Sequence, residues 1–214
     1  GAHATVVEEF LRHYTGAELD KIVASIAGKR AHFKQPLDRD ALAAKLGLAP
    51  TAQRDDALDL AFPHDATDIA DAVKAICVNQ TKTYQNFAAD LAALHFAAPT
   101  WDDFAVLKRL FLYADSARSK SANYPQSNHT KAVDAFTPII DDLHAWMDGV
   151  AEAQDQLWAH DALDKTTALY AFANPFVDAY EARKTAMGML DFDDLIDKAW
   201  LLLSDSAVAD WVLF

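Results

Sequence analysis

Cysteine is almost missing from this 214-residue chain. Cys77 is the only one, which excludes an intramolecular disulfide framework. Glycine (six) and proline (seven) are scarce, too few turn formers for a β-sandwich, whereas alanine is abundant and favours long helices. No apolar run approaches the ~18–20 residues that span a bilayer. Gly1-Ala2-His3-Ala4 has neither the basic nor the apolar region of a signal peptide. There is no Gly-x4-Gly-Lys-Ser/Thr phosphate loop, no Gly-x-Ser-x-Gly elbow and no Cys/His nucleophile pairing. The eight histidines, His3 to His160, lack the short ligand spacings of a zinc site. Positive charge is also in deficit: 19 Lys and Arg against 32 Asp and Glu leave −13. Nucleic acid would repel such a chain unless a local basic surface exists.

What is present is helical periodicity. Apolar residues recur at spacings near 3.6, and period-2 alternation is absent. Val6, Phe10 and Tyr14 mark a first helix ending at Gly16. Leu19 to Phe33 mark a second, before Pro36, and Asp38 to Leu46 a short third closed by Gly47. After a loop over 49–57, helices are expected from Asp65 through Cys77, from about Thr83 through Leu94, and from Trp101 through Phe111. The last is capped by Thr100 at N-cap with Asp103 at N3. Two long helices are expected over 131–162 and 163–186, with Pro138 and Pro175 either kinking them or sitting in a first turn. The fold class is all-α, an irregular multi-helix bundle. Cys77, among Val73, Ile76 and Val78, reads as a buried inert thiol. Trp101, Trp146, Trp158, Trp200 and Trp211 read as core or inter-helix anchors.

The segment Leu190-Asp191-Phe192-Asp193-Asp194-Leu195 carries three acids in four positions. Gly188 suits the C′ position of one helix, and Asp191 suits the N-cap of the next, with Asp194 at N3. Acids in a first turn face unpaired N–H groups and the positive end of the helix dipole. Leu190 and Leu195 have the spacing of a hydrophobic staple. Capping alone accounts for all six residues. The alternative is a hard-cation site: Asp193, Asp194 and Asp197 fit the Asp-Asp-x-x-Asp pattern with which all-α terpenoid and prenyl synthases hold Mg²⁺. Those enzymes need a second acidic cluster on a facing helix, and the seventeen residues after Asp197 carry none.

The same stretch resembles a known family. UvrD/RecB-like superfamily 1 DNA helicases carry Tyr-x3-Lys-x5-Leu-Asp-Phe-x-Asp-Leu ahead of the strand bearing their Walker B acid. Here the pattern is Tyr180, Lys184, Leu190, Asp191, Phe192, Asp194 and Leu195. The following "LLLSDSAVADWVLF" is similar to the family's next helix. With "VVEEFL…ELDKIVASIAGKRAHFKQPL" and "FLYADSARSKS" upstream, the order of blocks resembles the AddA subunits of alphaproteobacterial double-strand-break repair helicase–nucleases.

That resemblance implies an internal piece of a longer protein. Residues 1–186 would be the helical insertion (subdomain 1B) of a RecA-like motor domain, and 187–214 a return segment leading to the Walker B strand. It implies an ATP- and Mg²⁺-dependent parent helicase, with exonuclease activity in the full complex, acting in recombination. The piece itself would be non-catalytic, with no cofactor or metal of its own. Its partners would be DNA, the rest of the motor and an AddB-type nuclease subunit. Its place would be the bacterial cytoplasm at the nucleoid, with no membrane contact.

Such an arm lies along DNA in this family, and one segment suits that. Residues 108–131 hold Lys108, Arg109, Arg118, Lys120 and Lys131 against the single acid Asp115, a local +4 that leaves −17 for the remainder. Tyr124, with Tyr113 and His129, supplies rings that could stack on bases. Asn123, Gln126, Ser127 and Asn128 supply donors for phosphate oxygens. A solvated loop, or a protein-interaction module docking a basic partner through its acidic surface, remains the plainer alternative.

Overall fold

The structure is a computed structural model that describes residues 2–114 and 116–204. The chain is all-α: no β-strand occurs among the described residues, whose only β feature is an isolated antiparallel bridge between Leu112 and Ser119. The helices are α1 (Ala2–His13), α2 (Leu19–Gly28), α3 (Arg30–Phe33), α4 (Arg39–Lys45), α5 (Asp56–Ala61) and α6 (Ala66–Cys77). They continue with α7 (Lys82–Ala92), α8 (Trp101–Phe111), α9 (Thr130–Phe136), α10 (Ile140–Met187) and α11 (Phe192–Ser204). Two compact units result. One is residues 38–164, and the other joins 1–37 to 165–214. The 48-residue α10 contributes its first half to one and its second half to the other.

The larger unit is built on the apolar face of α10. Leu143, Trp146, Met147, Val150, Ala153 and Leu157 recur every three or four residues and are buried. They meet Val73 and Cys77 of α6, Leu91 of α7, Leu107 and Phe111 of α8, and Phe136 of α9. Each such side chain contributes roughly 1.5–3 kcal/mol by leaving water. Trp146 also donates its indole N–H to the carbonyl of Ala61, 2.8 Å away, at the end of α5. One turn on, a Cβ on Gly149 would stand 3.2 Å from the carbonyl of Leu60, so α5 is approached closely there. Burial pushes the Cys77 thiol up to about 11, as an inert core thiol requires.

The expected ends hold where capping chemistry specifies them. Gly47 (φ 80°) follows α4, and the N–H of Leu48 bonds the carbonyl of Ala43 while that of Gly47 bonds Ala44. That is a Schellman ending, with Ala43 and Leu48 both buried against Leu163. Thr100 and Asp103 form the expected capping box. Three boundaries differ, and α5 forms where no helix is expected, its start overlapping the expected 49–57 loop. The helix expected over 19–33 is interrupted at Lys29, just after Gly28, where φ −115° and ψ 24° leave the helical well. The stretch expected as one helix over 131–162 is α9, a 3₁₀ turn over Thr137–Ile139 with Pro138 in its first positions, and then α10. No break falls at 162–163, because Ala162-Leu163 contains no helix breaker and Leu163 is buried; α10 runs on through Pro175.

The smaller unit has its own core. Ile26, Ala173 and Val177 pack with Ile22, Phe33, Leu169, Phe172 and Phe176. Phe10 of α1, 1% exposed, stacks on Phe172 with ring centroids 4.1 Å apart. Tyr14 donates to the carbonyl of Lys165.

Candidate functional site

Two places bring sequence-selected residues together. The first lies in the smaller unit, at the junction of α10 and α11. Gly188 (φ 60°) ends α10 with a second Schellman pair, Met189 N–H to Lys184 and Gly188 N–H to Thr185. Asp191 and Asp194 then cap α11 reciprocally: the N–H of Asp194 donates to Asp191 Oδ1 at 3.0 Å, and the N–H of Asp191 to Asp194 Oδ2 at 2.9 Å. The four oxygens of these two carboxylates also take two buried cations. Arg30 reaches Asp191 Oδ1 at 3.0 Å and Asp194 Oδ1 at 2.9 Å, and its Nε lies 2.6 Å from Glu181. Lys184 Nζ lies 2.8 Å from Asp191 Oδ2, 2.6 Å from Asp194 Oδ2 and 5.2 Å from the centre of the Tyr180 ring.

Tyr180, Lys184, Asp191 and Asp194 are thus one connected group. Leu190, Phe192 and Leu195 of the same pattern are exposed, so the staple's two leucines stay largely in water. The Asp191 carboxyl is held well below the usual range, first by the Lys184 hydrogen bond and then by the cap bond from Asp194. Asp194 is lowered by the same Lys184 contact.

The arrangement weighs against the Asp-Asp-x-x-Asp reading. Both oxygens of Asp194 already accept hydrogen bonds from cations or the backbone, so ligating Mg²⁺ would displace them. Among the described residues no group of three or more His, Cys, Asp or Glu side chains is placed to hold a metal. The Asp193 side chain lies outside what the structure describes.

The second place is in the larger unit. The bridge between Leu112 and Ser119 folds the chain back after α8, and a cavity of about 450 Å³ opens beside it. Lys108, Arg109, Tyr113, Ser116, Lys120, Gln154 and Trp158 line it, with no carboxylate among the described lining residues. The cations differ in freedom. Arg109 is 3.1 Å from Asp90. Lys120 donates to the carbonyls of Arg109 and Leu110, closing the C-terminus of α8. Burial, then the Arg109 charge, pushes the pKa of Lys120 down. Among the described residues Lys108 has only the Phe104 ring, 5.4 Å away. Arg118 lies 4.2 Å over the Tyr113 ring, whose hydroxyl accepts from Asn123.

The remaining candidates go elsewhere. Lys131 lines a separate cavity of about 500 Å³ with Asn79, Asn128 and His129. Tyr124 is no stacking platform: its ring packs against Tyr84, Phe87 and Phe136, and burial pushes its hydroxyl pKa up. No protein-family model, curated protein or solved structure matches this chain. The site's character therefore rests on its own chemistry.

Sequence reasoning missed Arg30 and Glu181 at the junction, and Gln154 and Trp158 at the cavity. Arg30 stands 161 residues from Asp191, so no local pattern could pair them. Trp158 reads in the sequence as a core or inter-helix anchor like Trp146, yet it is 46% exposed. It directly follows Leu157, the last α10 residue of the larger unit's main core, and so falls beside the apolar stripe. Trp101 and Trp200 are likewise exposed, and Trp211 lies outside the described residues.

Proposed function

We propose that this chain is the non-catalytic helical arm of an AddA-type superfamily 1 DNA helicase. In this reading it is an insertion in a RecA-like motor domain that positions duplex or forked DNA and braces the motor. It acts in double-strand-break repair beside an AddB-type nuclease subunit, in the bacterial cytoplasm. ATP and Mg²⁺ serve the parent motor, and the arm's own residues perform no chemistry.

The observation that supports DNA contact most is the cavity bearing Lys108, Arg109 and Lys120, with no carboxylate among its described lining residues, on a chain of net charge −13. Local cations outweigh distant acids within a Debye length of about 8–10 Å. The bracing half of the reading draws on α11. Its exposed Phe192, Leu195, Ile196, Trp200 and Leu203 follow helical spacing, an apolar stripe that needs a partner surface. The ion-paired junction fixes where that stripe begins. Among the described residues no helix is long and apolar enough to cross a membrane.

The test is titration of the chain against forked DNA at low and moderate salt. Weak binding that falls with salt at a slope of about −2 to −4 on log–log axes is expected, reduced by Lys108→Glu and by Arg118→Glu. Absence of binding at low salt would remove the reading.

A further inference from the structure

Gln154 and Trp158 stand one turn apart on α10 and line the same cavity as Lys108, Arg109, Tyr113 and Lys120. Gln154 is 6% exposed, yet its side-chain amide has no hydrogen-bond partner among the described residues. Covered amides are almost always bonded. Its amide atoms are not among the sealed polar atoms of the core, which are Tyr124 Oη, His160 Nε2 and Asn174 Oδ1. They keep solvent contact, and the cavity is the opening Gln154 lines. Trp158, 46% exposed, has no ring, cation or hydrogen-bond partner among the described residues. The volume, about 450 Å³, falls within the ~300–1,000 Å³ of small-ligand sites.

We propose that this cavity takes one unstacked nucleotide. The indole of Trp158 supplies a stacking face, which accepts any base. The Gln154 amide supplies a donor and an acceptor side by side, the complement of a base edge that carries both. Lys108, which has no carboxylate partner among the described residues, receives the phosphate, with Arg109 beside it. Inorganic phosphate would satisfy only the last of these. The nucleotide can belong to a single strand or be free in solution. The first source deepens the DNA-contact reading and rests on it; the second does not.

The experiment is calorimetric titration of the full chain at low salt with deoxyadenosine and thymidine 5′-monophosphates, a trinucleotide and inorganic phosphate. Both nucleotides should bind at least about tenfold more tightly than phosphate. Gln154→Leu and Trp158→Leu should each weaken nucleotide binding about tenfold and leave phosphate binding unchanged. Trp158 is half exposed, so its replacement keeps the fold and serves as the probe if Gln154→Leu does not fold. Tighter binding of the trinucleotide than of the monophosphates supports the strand as source, and equal or weaker binding supports the free nucleotide. Equal affinity for nucleotide and phosphate, with Trp158→Leu silent, overturns the proposal and leaves only a cation cluster. Nucleotide binding without any binding of forked DNA would defeat the DNA-positioning role alone.

Discussion

Replacing Arg30 by methionine removes the cation on which three carboxylates converge. Arg30 is 6% exposed, and its guanidinium lies within 3.0 Å of Glu181, Asp191 and Asp194. In the variant, Lys184 alone faces the three acids. Breaking a fully buried pair costs roughly 3–5 kcal/mol, and an exposed pair no more than about 1 kcal/mol. Here the cation is buried, while the Glu181 and Asp191 side chains are 34% and 32% exposed. An intermediate loss of about 2–3 kcal/mol is therefore expected from removing Arg30.

The loss should appear locally, because the cluster ties the start of α11 to Arg30 and to the end of α10 while α11 itself is mostly exposed. Amide exchange over residues 192–204 should accelerate about 30- to 150-fold, with the core of the 38–164 unit unchanged. Lys184→Met should act in the same direction, and the double variant should fall short of additivity. The pH dependence has a definite sign. Asp191 and Asp194 are depressed below the usual 3.8, so their contribution is present above that pH and lost as pH falls. Burial lowers Lys184, but its hydrogen bonds to Asp191 and Asp194 raise it above 10.5, so its share persists to that pH and fades beyond. Wild-type protection of α11 should be flat from about pH 4 to 10.5. Exchange over 192–204 that is unchanged in Arg30→Met would refute this account of the junction.

Other perturbations act in the larger unit. Trp146→Phe leaves the Ala61 carbonyl without its indole donor and opens a void, so chemical denaturation should show a loss of about 2–3 kcal/mol. Asp103→Ala removes the α8 capping box and should cost about 1–2 kcal/mol at neutral pH. Burial raises the Asp103 carboxyl, but bonds from Thr100 and His95 outweigh it and hold it at about 2. The difference from wild type should therefore shrink as pH falls from about 4 towards 2 in thermal unfolding scans. Cys77, pushed up to about 11 and 1% exposed, should react with a thiol reagent only as fast as the native state opens. Immediate labelling of the folded protein would contradict its placement.

How much of this fold is written locally in the sequence follows the range of the forces involved. Caps were legible because Thr100–Asp103 and Asp191–Asp194 bond across three residues, and the glycines at 47 and 188 follow a rule of local backbone sterics. The helical character of 140–186 was legible for the same reason, since a period near 3.6 is written within a few turns. Breaks between helices were less so: Pro138 ends one segment while Pro175 sits inside another, and which occurs depends on the tertiary surroundings.

The two sites lie at the far end of that scale. The sequence places Asp191 and Asp194 together, but their second role depends on Arg30, brought there by the fold. The candidates over 108–131 look alike in the sequence, yet structure gives Lys120 to the carbonyls of α8, Arg109 to Asp90 and Tyr124 to the aromatic core. Among the described residues, Lys108, Arg118, Lys131, Gln154 and Trp158 are left with no side-chain hydrogen bond or ion pair. A functional surface is what packing leaves unpaired, and that remainder can be read only after every internal partner has been assigned.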